Sequence, residues 1–209
     1  MTILSQQETL LFTAPPKCED PVDVAFLVDA SGSVGVPNYV KERNFVKKIA
    51  KSFGGPESGS KMAVITYSED AQVDIAFGQY KTTAELDQAV ENLPYTRGRT
   101  RIDKALQLAA RELFAPGKGS TDNVAKILIV LTDGQQTPAQ DAVKLDVAAA
   151  ELRKLGVQIF AGGVGKGINE QELRLMTERD QDVFLAADFN DLAIEARALA
   201  KNVCESAGE

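Results

Sequence analysis

A chain of 209 residues with 44% apolar content is expected to fold as one domain with tails, around a sizeable core. Its formal charge of −7 argues against a nucleic-acid binder, which needs a net basic face. The absence of histidine removes Ser-His-Asp and Cys-His catalysis, His-ligated zinc and a histidine pH switch.

Residues 1–17 read as a weakly ordered leader ending in Pro15-Pro16. Gln6, Gln7 and Glu8 interrupt its apolar residues, so it lacks the continuous stretch of a signal peptide. If the protein is secreted, its signal has been removed or replaced. Cys18 and Cys204 flank everything that looks folded. They are too few for a structural zinc site and fit no Cys-x-x-Cys motif, which leaves free thiols or one disulfide. The disulfide is the favoured reading, because domain termini often lie close together. It would be worth roughly 5 kcal/mol on the chain-entropy model and would imply an oxidising compartment.

Val22 to Val28 is an apolar run expected to form the first buried strand, and Asp29-Ala30-Ser31-Gly32-Ser33 follows it. Pro37 opens a helix whose residues Val46, Ile49, Ala50 and Phe53 form a core-facing stripe, stopped by Gly54-Gly55-Pro56. Met62 to Tyr67 is a second buried strand. Ser68-Glu69-Asp70 turns the chain into a half-exposed strand containing Val73, Ile75 and Phe77, so this hairpin should supply an antiparallel edge. Thr82 or Thr83 caps a short helix through Leu93, with Leu86 and Val90 inward. The loop Pro94 to Thr100 feeds a helix with the stripe Ile102, Ala105, Leu106, Ala109 and Leu113.

Val124 to Leu131 is the continuous apolar run of a central parallel strand, and Thr132-Asp133-Gly134 follows it. A helix carrying Leu145, Ala148, Ala149, Leu152 and Leu155 ends at Gly156, and Val157 to Val164 is the next strand. A short helix (Asn169 to Met176), a strand near Val183 to Leu185 and a last helix with Leu192, Ala196, Leu199 and Val203 complete the pattern. Strands alternating with helices specify an α/β fold: a doubly wound, Rossmann-like open sheet, mostly parallel, with one antiparallel edge strand and helices on both faces. No run approaches the ~20 apolar residues of a membrane span, so no membrane insertion is expected.

In such a sheet, ligands bind beyond the carboxyl ends of the strands where the strand order reverses. If the first and fourth strands are neighbours there, Asp29, Ser31, Ser33, Thr100 and Asp133 converge: two carboxylates and three hydroxyls. That set suits a hard divalent cation, Mg²⁺ or Mn²⁺, and leaves its shell open to an acidic side chain of a partner.

The order Asp-x-Ser-Gly-Ser, Thr, Thr-Asp-Gly on these elements closely resembles the von Willebrand factor type A domain. The resemblance runs from Asp20 to Cys204, placing the domain at 18–204 and a tail at 205–209. It implies a metal-ion-dependent adhesion site in which Ser31 and Ser33 bind the ion directly, while Thr100, Asp29 and Asp133 act directly or through water. The paired end cysteines resemble those of secreted matrix and plasma members. The implied protein is a secreted or extracellular matrix adhesion module, not an enzyme, whose partner presents Glu or Asp, collagen among the candidates. The alternative is a metal-independent matrix module binding collagen through another face.

Only Gly165-Lys166-Gly167-Ile168 separates the fifth strand from its helix, so the extra helix of collagen-binding integrin domains has no room. Glu205 and Glu209 read as solvated tail residues, which gives no support to allosteric switching. The glycines from Gly162 to Gly167 do not match a phosphate loop, since glycine rather than Ser or Thr follows Lys166. Arg97, Arg99 and Arg101 read as solvated loop charges beside Thr100, with steering of an acidic partner as the alternative. A metal-dependent hydrolase using Asp29 lacks a histidine, a phosphate loop and an obvious second acid nearby in sequence.

Overall fold

The computed structural model describes residues 21–191; Cys18, Cys204, the leader and the last helix lie outside the described residues. Strand β1 (Val22–Asp29) is buried along its whole length, as its uninterrupted apolar sequence requires. Its side chains alternate between two cores. Val22, Val24, Phe26 and Val28 point to one layer, Ala25 and Leu27 to the other. Helix α1 (Val36–Ser52) covers the first layer with Tyr39, Phe45, Val46 and Ile49. Its second helical position is Pro37, where the missing N–H has no intrahelical bond to lose.

Strand β2 (Lys61–Tyr67) pairs parallel with β1, and β3 (Ala71–Ile75) returns antiparallel to it. The hairpin is therefore the edge expected, although it is shorter than the sequence alternation suggested. Phe77 lies beyond the strand and packs edge-on against Phe114, ring centres 5.3 Å apart. Helix α2 (Thr83–Glu91) is capped by Thr82, whose hydroxyl accepts the Glu85 N–H while the Glu85 carboxylate accepts the Thr82 N–H. It completes the first layer with Leu86 and Val90.

Helix α3 (Ile102–Ala109) does not run on as a regular helix to Leu113. It widens into a π turn over Ala110–Phe114, which keeps Leu113 and Phe114 both buried. The chain then enters β4 (Ala125–Thr132), which pairs parallel with β1 on the side opposite β2. Helix α4 (Leu145–Lys154), strand β5 (Val157–Val164), helix α5 (Glu170–Met176) and strand β6 (Val183–Ala186) finish the described fold. Helices α3, α4 and α5 supply the second apolar layer.

The strand order is β3-β2-β1-β4-β5-β6, one antiparallel pair in an otherwise parallel sheet. The chain leaves β1 toward β2 and later comes back to place β4 on the other flank. That reversal is the switch point, and the carboxyl ends of β1 and β4 open side by side. No helix among the described residues is long and apolar enough to cross a membrane.

Candidate functional site

Asp29 ends β1 and Thr132 ends β4, so sheet pairing alone brings the two loops together. The Asp29 carboxylate is fully buried and held at both oxygens. Oδ1 accepts the Ser31 N–H at 2.9 Å, and Oδ2 accepts the Thr132 hydroxyl at 2.8 Å. The Ser31 and Ser33 hydroxyls lie 3.0 Å apart, and Ser33 donates to Asp133 Oδ1 at 2.8 Å. A continuous chain of hydroxyl and carboxylate oxygens thus links the two loops.

Thr100 stands at the same point. A Cβ placed on Gly134 would lie 3.9 Å from Thr100 Oγ1 and 4.0 Å from Ser33 Oγ. All five residues singled out from the sequence therefore gather in one cluster. Its floor is buried (Asp29, Ser31, Thr100), Asp133 is half-buried, and Ser33 and Gly32 are exposed.

The electrostatics of the cluster are unfavourable to anions. Burial raises the Asp29 carboxyl to about 6, opposed by hydrogen bonds from Ser31 and Thr132 and reinforced by the Asp133 charge. Burial also raises Asp133, with the Ser33 hydroxyl pulling the other way. Below them Glu42, on α1, is wholly buried, and neither carboxylate oxygen has a hydrogen-bond partner. Burial first, then the Asp29 and Asp133 charges, hold it well above the usual carboxylate range. Two adjacent carboxylates that resist ionisation, framed by three hydroxyls, form an oxygen donor set that a divalent cation would relieve of its repulsion. The chemistry of the donors fits such an ion.

The scaffold around the cluster is dense. The loop after β1 is tied at Ala30 N–H to Tyr67 O (2.8 Å) and at Gly32 N–H to Gly98 O (3.0 Å). Tyr95 is half-buried and turned inward: its hydroxyl accepts the Gly35 N–H and donates to Ser31 O, each at 3.0 Å. Thr100 exchanges two hydrogen bonds with Thr137, at 3.1 and 2.8 Å.

Arg101 is not a solvated loop charge. It is 2% exposed and pairs bidentately with buried Asp103, both contacts 2.9 Å, and with Asp141 at 2.9 Å. Burial works against the Asp103 anion, but Arg101, the Val143 N–H and the Gln136 amide overcome it and bring the carboxyl down to about 2. This network anchors the start of α3, and with it Thr100, to the segment after β4. The turn after β5 also matters: a Cβ on Gly167 would fall 2.7 Å from the Asp133 carbonyl oxygen, so only glycine lets that turn close against the site.

Sequence reasoning missed three contributors. Thr132 was read as part of a motif and not as the hydroxyl that holds Asp29. Glu42 lay hidden within a helix whose Tyr39, Val46 and Ile49 pattern marks its face as buried. The Asp two positions after Arg101 is the signal that would have marked that arginine as paired.

Residues 23–197 match the family model described as the von Willebrand factor type A domain. The chain is 34% identical over 188 residues to the collagen alpha-1(XII) chain of Notophthalmus viridescens, covering 88% of this chain and 19% of that protein. It is 32% identical over 182 residues to cuticlin-6 of Caenorhabditis elegans (87% and 30%), and 29% identical over 185 residues to matrilin-1 of Gallus gallus (88% and 36%). The chain thus spans about a fifth to a third of the length of these relatives. Among solved structures, proximal thread matrix protein 1 from the mussel byssus matches with a TM-score of 0.85 at 23% identity, over 91% of this chain and 50% of that one. A structure of the same mussel protein described as having a zinc-occupied metal-ion-dependent adhesion site motif matches with a TM-score of 0.80 at 31% identity, over 90% and 47%.

Proposed function

Since the chain belongs to the von Willebrand factor type A family, we propose that it is a divalent-cation-dependent adhesion module of a secreted or extracellular matrix protein. The observation that carries this reading is the hydrogen-bonded cluster of Asp29, Ser31, Ser33 and Asp133 with Thr100 beside it, at the carboxyl ends of the adjacent strands β1 and β4, where the strand order reverses. Collagens, a cuticlin and a matrilin among the relatives support a matrix protein-binding role. The zinc-occupied motif of the mussel protein supports a divalent ion. An all-oxygen, histidine-free donor set favours Mg²⁺ or Mn²⁺.

In this reading Ser31, Ser33, Thr100, Asp29 and Asp133 hold the ion. Bound there, an ion would supply the positive charge to which a Glu or Asp of a matrix partner, collagen among the candidates, would be drawn. The protein's own contribution is preorganisation. Asp29 is fixed at both oxygens by Ser31 and Thr132, so the donors need not be ordered when the ion arrives. The reading includes one disulfide, Cys18 to Cys204, closing the ends of a domain at 18–204, and no enzymatic activity.

A calorimetric titration of Mg²⁺ and Mn²⁺ into chelator-stripped protein tests it. One saturable site is expected, lost in Asp133→Ala, and collagen binding should be abolished by chelation. Collagen binding that survives complete chelation would favour the metal-independent module.

A further inference from the structure

Three arginines crowd the loop before α3, and the structure gives them three different environments. Arg101 is buried against Asp103 and Asp141. Arg99 is committed to Glu69 through two contacts of 2.7 Å. Arg97 is exposed, and among the described residues it forms no ion pair. Its guanidinium carbon rests 5.8 Å from the centre of the Tyr95 ring.

Arg97 also sits in a conformation few residues adopt. Its φ is +61°, in the left-handed region, followed by Gly98 at +100°. The strain is held by the Arg97 N–H donating to Ala30 O at 2.7 Å, which fastens the arginine to the loop that carries Ser31 and Ser33. A side chain kept at a strained position and pointed outward is a feature of binding sites more than of packing.

Arg97 lines a pocket of about 480 Å³ between the β2–β3 turn and this loop, with Ser68, Glu69, Asp70, Gln72 and Thr96. The other polar groups there are already engaged. Ser68 and Thr96 bond each other at 2.8 Å, Gln72 donates to Asp74 at 2.6 Å, and Lys104 neutralises Asp70 at 2.5 Å. With Glu69 matched by Arg99, the lining retains one unmatched charge, the Arg97 guanidinium. Gly98 forms the common wall: it lines this pocket, and its carbonyl accepts the Gly32 N–H of the metal-site loop.

We infer that this pocket is a second anchor, in which Arg97 receives a second carboxylate from the same extended partner segment whose first acidic side chain completes the metal shell. The inference rests on the metal-dependent reading above. The two places share the Gly98 backbone, and the shortest spacing that puts two side chains on one face of an extended segment is i and i+2, ~7 Å apart. The partner chemistry is therefore a peptide with acidic residues at i and i+2. A sulfated polyanion, with its dense run of charges, fits less well beside a single unmatched guanidinium on a chain that carries −7 overall.

The test uses the full chain saturated with Mg²⁺ and two capped glycine peptides, one carrying a single glutamate, the other two glutamates two positions apart. Affinity is followed by amide chemical shifts, with Ser68, Thr96 and Gly98 reporting the pocket. The second glutamate should tighten binding about three- to fivefold, the range of an exposed charge pair. That gain should vanish in Arg97→Asn, a residue at ease in the left-handed region, while the single-glutamate affinity and the Mg²⁺ affinity stay unchanged. Mg²⁺-dependent binding of both peptides with no gain from the second glutamate overturns the second anchor alone. Binding that ignores Mg²⁺ overturns the metal-dependent reading and the anchor with it. A heparin oligosaccharide that outcompetes the two-glutamate peptide through Arg97 overturns the acidic-peptide assignment.

Discussion

Asp29 is the residue where folding stability and the proposed ion binding oppose each other. An unfolded chain releases its proton near 3.8, whereas the folded protein holds it until about 6. Between those values the folded state binds more protons, so stability is gained as pH falls and lost as it rises through about 6. A shift of that size corresponds to about 3 kcal/mol at neutral pH. The chelated protein should therefore melt several degrees higher at pH 5 than at pH 7, and Mg²⁺ should raise the melting temperature more at pH 7. Scanning calorimetry with chelator and with Mg²⁺ reads both effects. Glu42 makes the same point without a ligand to offset it. Its carboxyl is buried without a hydrogen-bond partner, a state that costs about 1–3 kcal/mol. Glu42→Leu should stabilise the chelated protein by about that amount in urea denaturation and weaken its gain on acidification.

Helix α3 and the two loops it faces show how far each element was legible in the sequence. The apolar runs of β1 and β4 are self-explanatory, because strands covered on both faces need no polar alternation. Their adjacency was the condition on which the acidic loops could meet, and the observed order meets it. The π turn after Ala109 was not legible: one extra residue in a helical turn leaves no mark on composition. Nor was the inward turn of Tyr95, because hydrogen bonds to Gly35 and Ser31 depend on loop geometry and not on local spacing. The buried Arg101–Asp103 pair holds the start of α3, and removing one partner strands the other charge. Arg101→Met should cost about 3–5 kcal/mol in denaturant titration. The turn after β5 gives a milder perturbation. Gly167→Ala forces a Cβ against the Asp133 carbonyl, so Mg²⁺ affinity should fall several-fold by calorimetry with a stability loss of only about 1 kcal/mol.

Across the whole molecule, the sheet brings together residues that are remote along the chain. The Ser33–Asp133 contact spans 100 residues and the Asp29–Thr132 contact spans 103. Neither half of the chain contains the site, and no local segment can form it early, since long-range pairing bears the full entropy of loop closure. Occupancy of the site therefore reports the finished fold. A divalent ion would act as a late latch, adding nothing to the search for the fold and slowing only its escape. A nicked chain would lose its grip on the ion as soon as its halves drifted apart, even with both loops chemically intact. In the proposed adhesive role this would couple mechanical integrity to stickiness, because a domain pulled open by tension would let go of its ion and its partner together.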